Sequence, residues 1–548
     1  MQFPGDDVSS GGGTLHGTCM ADDAQWISGA KRNKTAQPPT CRPHTPTATE
    51  TESPQDLEFA DQGQLDSLLT LWSGSFVKQS LEPVLDLAVG TDGCPLVTNP
   101  GSTDIPLGIE LFRTLDAYST KATEHPEPNY ECEKTAEAAA KRSESAKQSL
   151  LAAAKAFTAR WLPLILDQVN YHTDDMQEVI RKSWRASRND MLKMMNRVSY
   201  ESVLTLFIFS QTPIPCGISE EEEEEDGISG LVCLHTALLQ VQRLRERHDG
   251  RRFCGSEVGT WVNATACAGT DPSSAERYLQ LESRAYWAAV GWDTSASLAY
   301  NPGRSSWGRS TRRPNRGEQR GLKATDETAR KVLSGAAVGS VSVWKSITSL
   351  KEALREGVGE DGLLLTWKSL LDAIDVYRAS VCPLLNTCER QLHYLDQERR
   401  LCWFEASLQY HLGILTMVDA LRAAHRSDLL AQVLDLGRDT ESEIFSLLRF
   451  GTDSTYTIRR AREAAPTRGL AETTDAPPST ITTSLITVYP LISRVIDSVA
   501  LTKRVVDLKH TQGTISDDVY SYLCSVLTKA LGRLPQHRGR ATLSGKGP

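Results

Sequence analysis

The chain has no C-x-x-C pair, although it contains twelve cysteines in 548 residues. Cys19 and Cys41 stand alone, so the paired thiolates that grip structural zinc are missing. Cysteines scattered singly also argue against a disulfide framework and suit a reducing compartment. No run approaches the ~20 apolar residues that a membrane helix needs, so no membrane partner is expected. The opening MQFPGDDVSSGGG has early acids and no apolar core, and is not expected to act as a secretory signal. Alternation of period two is absent over any convincing length, so strands should be few.

Catalytic patterns are lacking too. The chain holds no G-x-x-x-x-G-K-[ST], no H-E-x-x-H and no G-x-S-x-G, and its histidines form no nucleophile–base arrangement with serine or cysteine. GVGEDG at Gly357 to Gly362 has the glycines of a dinucleotide loop, but it follows a helical pattern and places two acids where a pyrophosphate would lie. Cys382, Cys388 and His393 fall in a leucine-rich helical stretch and read as packed thiols and a surface histidine rather than metal ligands. No catalytic residue, metal or cofactor is therefore assigned, and the chain is not expected to be an enzyme. A net charge of −9 excludes a uniformly basic nucleic-acid binder.

What is present is helical periodicity. With 40% apolar and 24% charged residues, the chain has the composition of an ordinary globular protein. The expected fold is all-α: one large multi-helix domain from about 62 to 536, with a disordered segment 1–61 rich in Gly, Ser, Thr and Pro and a flexible tail 537–548. Its centre is Ser199 to Arg247. Val203 to Phe209 is apolar on every side, as suits a helix buried all round, and Pro213 and Pro215 end it. After the acidic run Glu220 to Asp226, Leu231, Leu234, Leu238, Val241 and Leu244 recur at steps of three and four. Arg243, Arg245 and Arg247 gather at the far end, so acids before and bases after would match the helix dipole. The acidic run reads as a solvated loop ahead of that helix, or as a docking patch for a basic partner.

Elsewhere, Leu65 to Val77 is a short apolar segment, and the prolines and glycines between 81 and 130 predict irregular chain with one helix near Ile109 to Tyr118. Thr135 to Leu162 is a strong helix former ending or kinking at Pro163. Met191, Met194 and Met195 lie on a helical face and read as core, or as an adaptable binding surface. Phe253 to Asp271 reads as loop. Residues 301–330 form a basic loop with eight Lys or Arg against three acids. A linker is expected at 461–484, followed by helices at Tyr489 to Asp507 and Ser516 to Leu534.

SRAYWAAVGWDTSASLAYNPGR, Ser283 to Arg304, resembles the signature of the fungal-specific transcription factor domain, the helical regulatory region of fungal binuclear zinc cluster proteins. Arg284, Trp287, Asp293 and Ser297 fall in register with it, and Gly303 and Arg304 lie close to its closing Gly-Arg. SYESVLTLFIFSQTPIPCGIS, SVWKSITSLKEALREGV, PLLNTCERQLHYLDQ and DVYSYLCSVLTKALGRLPQ are similar to segments of one filamentous-fungal subgroup, so the resemblance spans about Leu65 to Gln536. It implies a nuclear transcriptional regulator, of a secondary-metabolite or other biosynthetic pathway, acting through partner proteins, a homodimer or an effector. A helical enzyme or small-molecule receptor without a DNA role is the competing class. The residues themselves allow a plainer account, with Trp287 and Trp292 as core aromatics and Arg284 with Asp293 as an ion pair.

The sequence departs from the family in two ways. Thr294 stands where the pattern has Arg, and the six cysteines of two C-x2-C-x6-C halves are absent, so zinc would be expected only with such a cluster. The basic patch Arg304, Arg309, Arg312, Arg313, Arg316, Arg320 and Lys323 is an import signal or solvated loop, or gives weak, salt-sensitive attachment to DNA phosphates. Broken by Gly and Pro, it cannot present side chains rigidly in a groove, so promoter choice would fall to a partner.

Overall fold

Short polar side chains start helices along the whole chain. Ser199, Ser219, Thr325, Asp396 and Ser516 each accept a hydrogen bond from the backbone N–H three residues on. Each thereby satisfies a donor that the first helical turn leaves unpaired. The computed structural model describes residues 54–90, 92–97, 106, 108–121, 130–168, 175–246, 272–300, 325–460 and 480–535.

The first half runs α1 (Pro54–Phe76), a π-helical turn Val77–Leu81, α2 (Glu82–Val89), α3 (Gly108–Lys121), α4 (Tyr130–Ala159), α5 (Leu162–Gln168), α6 (Met176–Asn196), α7 (Tyr200–Ser210), α8 (Glu220–Glu224), α9 (Gly230–Glu246) and α10 (Pro272–Tyr300). The second half continues with α11 (Asp326–Glu356), α12 (Glu360–Ser380), α13 (Cys382–Glu389), a 3-10 turn Leu392–Tyr394, α14 (Gln397–Ala423), α15 (Ser427–Gln432) and α16 (Leu434–Asp453). Strands β1 (Thr455–Arg459) and β2 (Thr480–Ser484) follow, then α17 (Leu485–Val488), α18 (Ile492–Thr511) and α19 (Asp517–Arg533). The fold is all-α, as the periodicity predicts.

Two helices are surrounded by the others. Every residue of α7 from Tyr200 to Phe209 is buried, against α9, α4, α6 and α3. In α14 every residue from Leu401 to Tyr410 is buried, under α11, α16, α18 and α2. A helix apolar on all sides has no face to give to water, so neighbours must cover it on every side. Met191 and Met194 are fully buried and Met195 partly so, which places them in the core rather than on a binding surface. Trp161 interrupts the run from α4 into α5 just before Pro163, and its indole N–H donates to Thr487 O at 2.7 Å.

Several expectations need correction. Helix α1 begins at Pro54, ahead of the boundary at 62. The stretch 81–130 holds a second helix, α2, because Pro83 lies in its first turn, where a missing N–H costs nothing. The acidic run is docked rather than merely solvated: Arg185 grips Glu222 through two bonds of 2.6 and 3.0 Å, and Arg188 donates to the Glu222 and Glu223 carbonyls. No acid stands in the first turn of α9, so its dipole is matched only at the far end, by Arg243 and Arg245. The linker 461–484 ends in strand: Thr480–Ser484 pairs antiparallel with β1, Ile458 opposite Ile481. Five-residue threonine-rich strands are too short for alternation to announce them. Residues 325–330 belong to the cap and first turn of α11, and Arg330 is paired with Asp92 at 2.7 Å. The expected loop Phe253 to Asp271, residues 301–324, the rest of the linker and the tail lie outside the described residues.

Helix α2 carries two carboxyls, one turn apart, that receive the start of α3. Asp86 accepts from Gly108 N at 3.0 Å and Glu82 from Ile109 N at 3.4 Å. Gly108 has φ +54°, and a Cβ there would stand 2.8 Å from the Glu82 side chain, so only glycine fits. Burial pushes the Asp86 carboxyl up to about 7, against the pull of the Gly108 N–H and with help from Glu82. The folded chain therefore keeps a proton that the unfolded chain releases above its ordinary carboxyl range, and stability falls as pH rises from about 4 to 7. The melting temperature is expected to drop across that window, and to drop less steeply in Asp86→Asn. Parallel profiles for the two proteins would show that Asp86 titrates normally.

Candidate functional site

Helices α10, α14 and α18 face one another across a partly open cavity of about 810 Å³, lined also by residues of α2, α7, α9 and α11. The opening follows from sequence. On α10, Ala288, Gly291 and Ser295 recur at steps of three and four on the lining face, too small to fill the space that the flanking Trp287 and Trp292 hold open. Trp292 is itself fixed by stacking on Phe207, ring centroids 3.8 Å apart. Trp344 of α11 forms another part of the wall, its indole N–H donating to Gln409 O at 2.7 Å.

The polar part of the wall comes from two helical stripes. Glu405, Gln409, Leu412, Thr416 and Asp419 line it from α14, and Arg494, Asp497, Leu501 and Arg504 line it from α18. Ion pairs close the two ends of this seam. Arg494 donates to Glu405, which also accepts from the Tyr489 hydroxyl, and to Ser295 Oγ at 3.2 Å. Arg504 meets Asp419 at 3.0 Å. Lys351 donates to Leu298 O at 2.7 Å, and burial lowers its ammonium. Between the two clamps, Asp497 makes no hydrogen bond or ion pair with the described residues, and neither does the side-chain amide of Gln409. Burial pushes the Asp497 carboxyl up to about 6, with Arg504 pulling the other way. The arrangement suits binding of a partly apolar molecule: greasy aromatic walls, committed charges at the ends and two uncommitted polar groups between them.

Gly413 lets the Trp344 indole approach α14 closely. A Cβ at Gly413 would stand 2.5 Å from the Trp344 indole nitrogen and 2.7 Å from Cδ1. At Gly437 of α16, by contrast, a Cβ would touch Val418 at an ordinary 3.6 Å. Gly413→Ala is expected to lose about 1 kcal/mol, overpacking of about 1–3 kcal/mol outweighing the gain of about 1 kcal/mol in helix propensity. Gly437→Ala is expected to gain up to about 1 kcal/mol. Urea midpoints moving in the same direction for both would contradict this account of the α11–α14 contact.

Of the four residues in register with the family signature, only Trp287 lines the cavity, alongside Trp292 and residues of the central hairpin such as Phe207 and Leu234. Arg284 is fully buried and donates to the Val89 and Gly90 carbonyls, closing the C-terminus of α2. It does not pair with Asp293. Nine residues along one helix put the two side chains on opposite faces, about 13.5 Å apart along the axis. Asp293 and Ser297 are buried among the packed helices, and Trp292 is a core aromatic as the plainer account has it. The basic residues Arg304, Arg309, Arg312, Arg313, Arg316, Arg320 and Lys323 lie outside the described residues. Cys388 is buried, Cys382 partly so, and the exposed His393 ring lies tilted beside Tyr394, centroids 3.9 Å apart. Among the described residues no group of His, Cys, Asp and Glu could hold a metal ion, and no helix is long and apolar enough to cross a membrane.

Sequence reading missed Glu405, Gln409, Asp419, Arg494, Asp497 and Arg504. The available signal was polar residues recurring at helical steps inside otherwise apolar helices. No family model, curated protein or solved structure matches this chain.

Proposed function

We propose that this chain is a regulator of transcription whose helical body binds a small organic effector in the cavity between α10, α14 and α18. The observation that carries the binding half is the cavity itself. Its volume of about 810 Å³ lies in the range that encloses drug-sized ligands, and its mostly apolar wall carries convergent polar stripes from α14 and α18. The transcriptional half rests on the resemblance of Ser283 to Arg304 to the regulatory region of fungal zinc cluster proteins. On this reading the protein acts in the nucleus on a biosynthetic pathway. It reaches DNA through partners or a homodimer, with Arg304 to Lys323 giving import or weak phosphate contacts. No cofactor and no catalytic step are part of it.

The test is a deletion of the gene combined with chromatin precipitation of the tagged chain. Nuclear protein at promoters, with transcripts of one gene set changed on deletion, is the expected result. Uniformly cytosolic protein with unchanged transcripts would overturn the regulatory half and leave a helical receptor or enzyme.

A further inference from the structure

The charges around the cavity do not balance. Glu223, Glu405, Asp419 and Asp497 face Lys351, Arg494 and Arg504, four acids against three bases. Arg494 is held by Glu405, and Arg504 by Asp419. The Lys351 ammonium is bonded to the Leu298 carbonyl, with the Asp419 charge nearby favouring its protonated form. No base in the wall is therefore left over for an anionic ligand. Among the acids, Asp497 is the carboxylate with no hydrogen bond or ion pair to the described residues. It lies one turn from Arg494 on the lining face of α18, between the two ion-pair clamps.

We propose that the cavity takes a monocationic organic amine, its ammonium paired with Asp497 and its apolar body against Trp287, Trp292 and Trp344. This rests on the reading of the cavity as an effector site and narrows it to a class of ligand. Three considerations support a cation over a neutral or anionic guest. An ionised carboxylate without a partner, half-buried in a mostly apolar wall, is unfavourable, and a bound ammonium supplies the missing counter-charge. Trp287, the partly exposed tryptophan of the wall, belongs to a side-chain class that attracts cations and apolar surface alike, so it can meet either end of such a molecule. The Gln409 amide, without a partner among the described residues, offers an acceptor for a further N–H of the ammonium. The raised carboxyl of Asp497 is what an unpartnered, half-buried acid should show, and amine binding would bring it down.

The test uses the full chain and three probes of one shape: 2-naphthylmethylamine, 2-naphthylmethanol and 2-naphthoate, each titrated by calorimetry at neutral pH. The amine is expected to bind at least tenfold more tightly than the alcohol, with the carboxylate weakest. Asp497→Asn should remove the amine's advantage and leave the alcohol within about twofold. Because that substitution deletes an unpaired, half-buried charge, the variant should melt no earlier than the wild type. Gly291→Leu fills the lining face of α10, where a Cβ meets only Val341 at 3.8 Å, and should weaken all three probes. Equal binding of amine and alcohol, or an Asp497→Asn variant that keeps the preference, overturns the assignment of the amine while leaving an effector cavity. Binding of none of the probes, or binding unchanged by Gly291→Leu, overturns the cavity reading as well.

Discussion

Arg494→Ala is expected to lower the stability of the folded chain by about 3–5 kcal/mol, read as a shift in the urea midpoint. The cause is what the substitution leaves behind. Glu405 has a side chain only 4% exposed, and it would keep the Tyr489 hydroxyl as its remaining partner. A buried carboxylate with its counter-ion removed retains the whole cost of leaving water and loses most of the compensation. The paired change Arg494→Met with Glu405→Leu should recover most of that loss, since it removes both charges and fills a similar volume with apolar atoms. A single variant as stable as the wild type would mean that water from the cavity solvates Glu405, and the clamp would then have no structural weight.

Trp344→Ala should be comparably damaging, at about 3–5 kcal/mol. The side chain is 1% exposed and packed between α11 and α14, with the nitrogen-bearing edge of its ring against Gly413 and its N–H on the Gln409 carbonyl. The Arg494 guanidinium carbon lies 5.1 Å from its ring centre, so the indole also supports one of the two clamps. Truncation would merge the space it occupies with the neighbouring cavity, which the rigid helices around it cannot close. Trp344→Phe keeps most of the apolar volume and loses the hydrogen bond, and should cost about 1–2 kcal/mol. Thermal and urea unfolding of the two variants check the ranking. Equal losses for both would indicate that the hydrogen bond, rather than the volume, is what Trp344 contributes.

Much of the local architecture can be read from the chain alone, because its causes lie within a few residues. Val203 to Phe209, apolar all round, could only be an enclosed helix, and α7 is one. Ser199 and Ser516 mark helix starts, and Pro163 marks the break between α4 and α5. Where local rules compete, sequence reading chose wrongly. Pro83 was as compatible with a loop as with a first helical turn, and the threonines of β1 and β2 were too few to show an alternation. The opposite faces of Arg284 and Asp293, by contrast, were within reach of helix geometry, since nine residues turn a helix through two and a half revolutions.

The cavity belongs to the other class. Glu405 and Arg494 are 89 positions apart, Asp419 and Arg504 85, and Trp344 and the Gln409 carbonyl 65. Each helix shows in its own sequence which side is apolar. Nothing in it states which neighbour will cover that side, or that the small residues of α10 will face the polar stripes of α14 and α18. That choice was made by the burial of the whole chain at once, which seats the largely buried helices α7 and α14 and positions the others around them. The sequence by itself determined the helices, their starts and their greasy faces. The tertiary structure decided which faces meet, and with that where a carboxylate would be left without a partner.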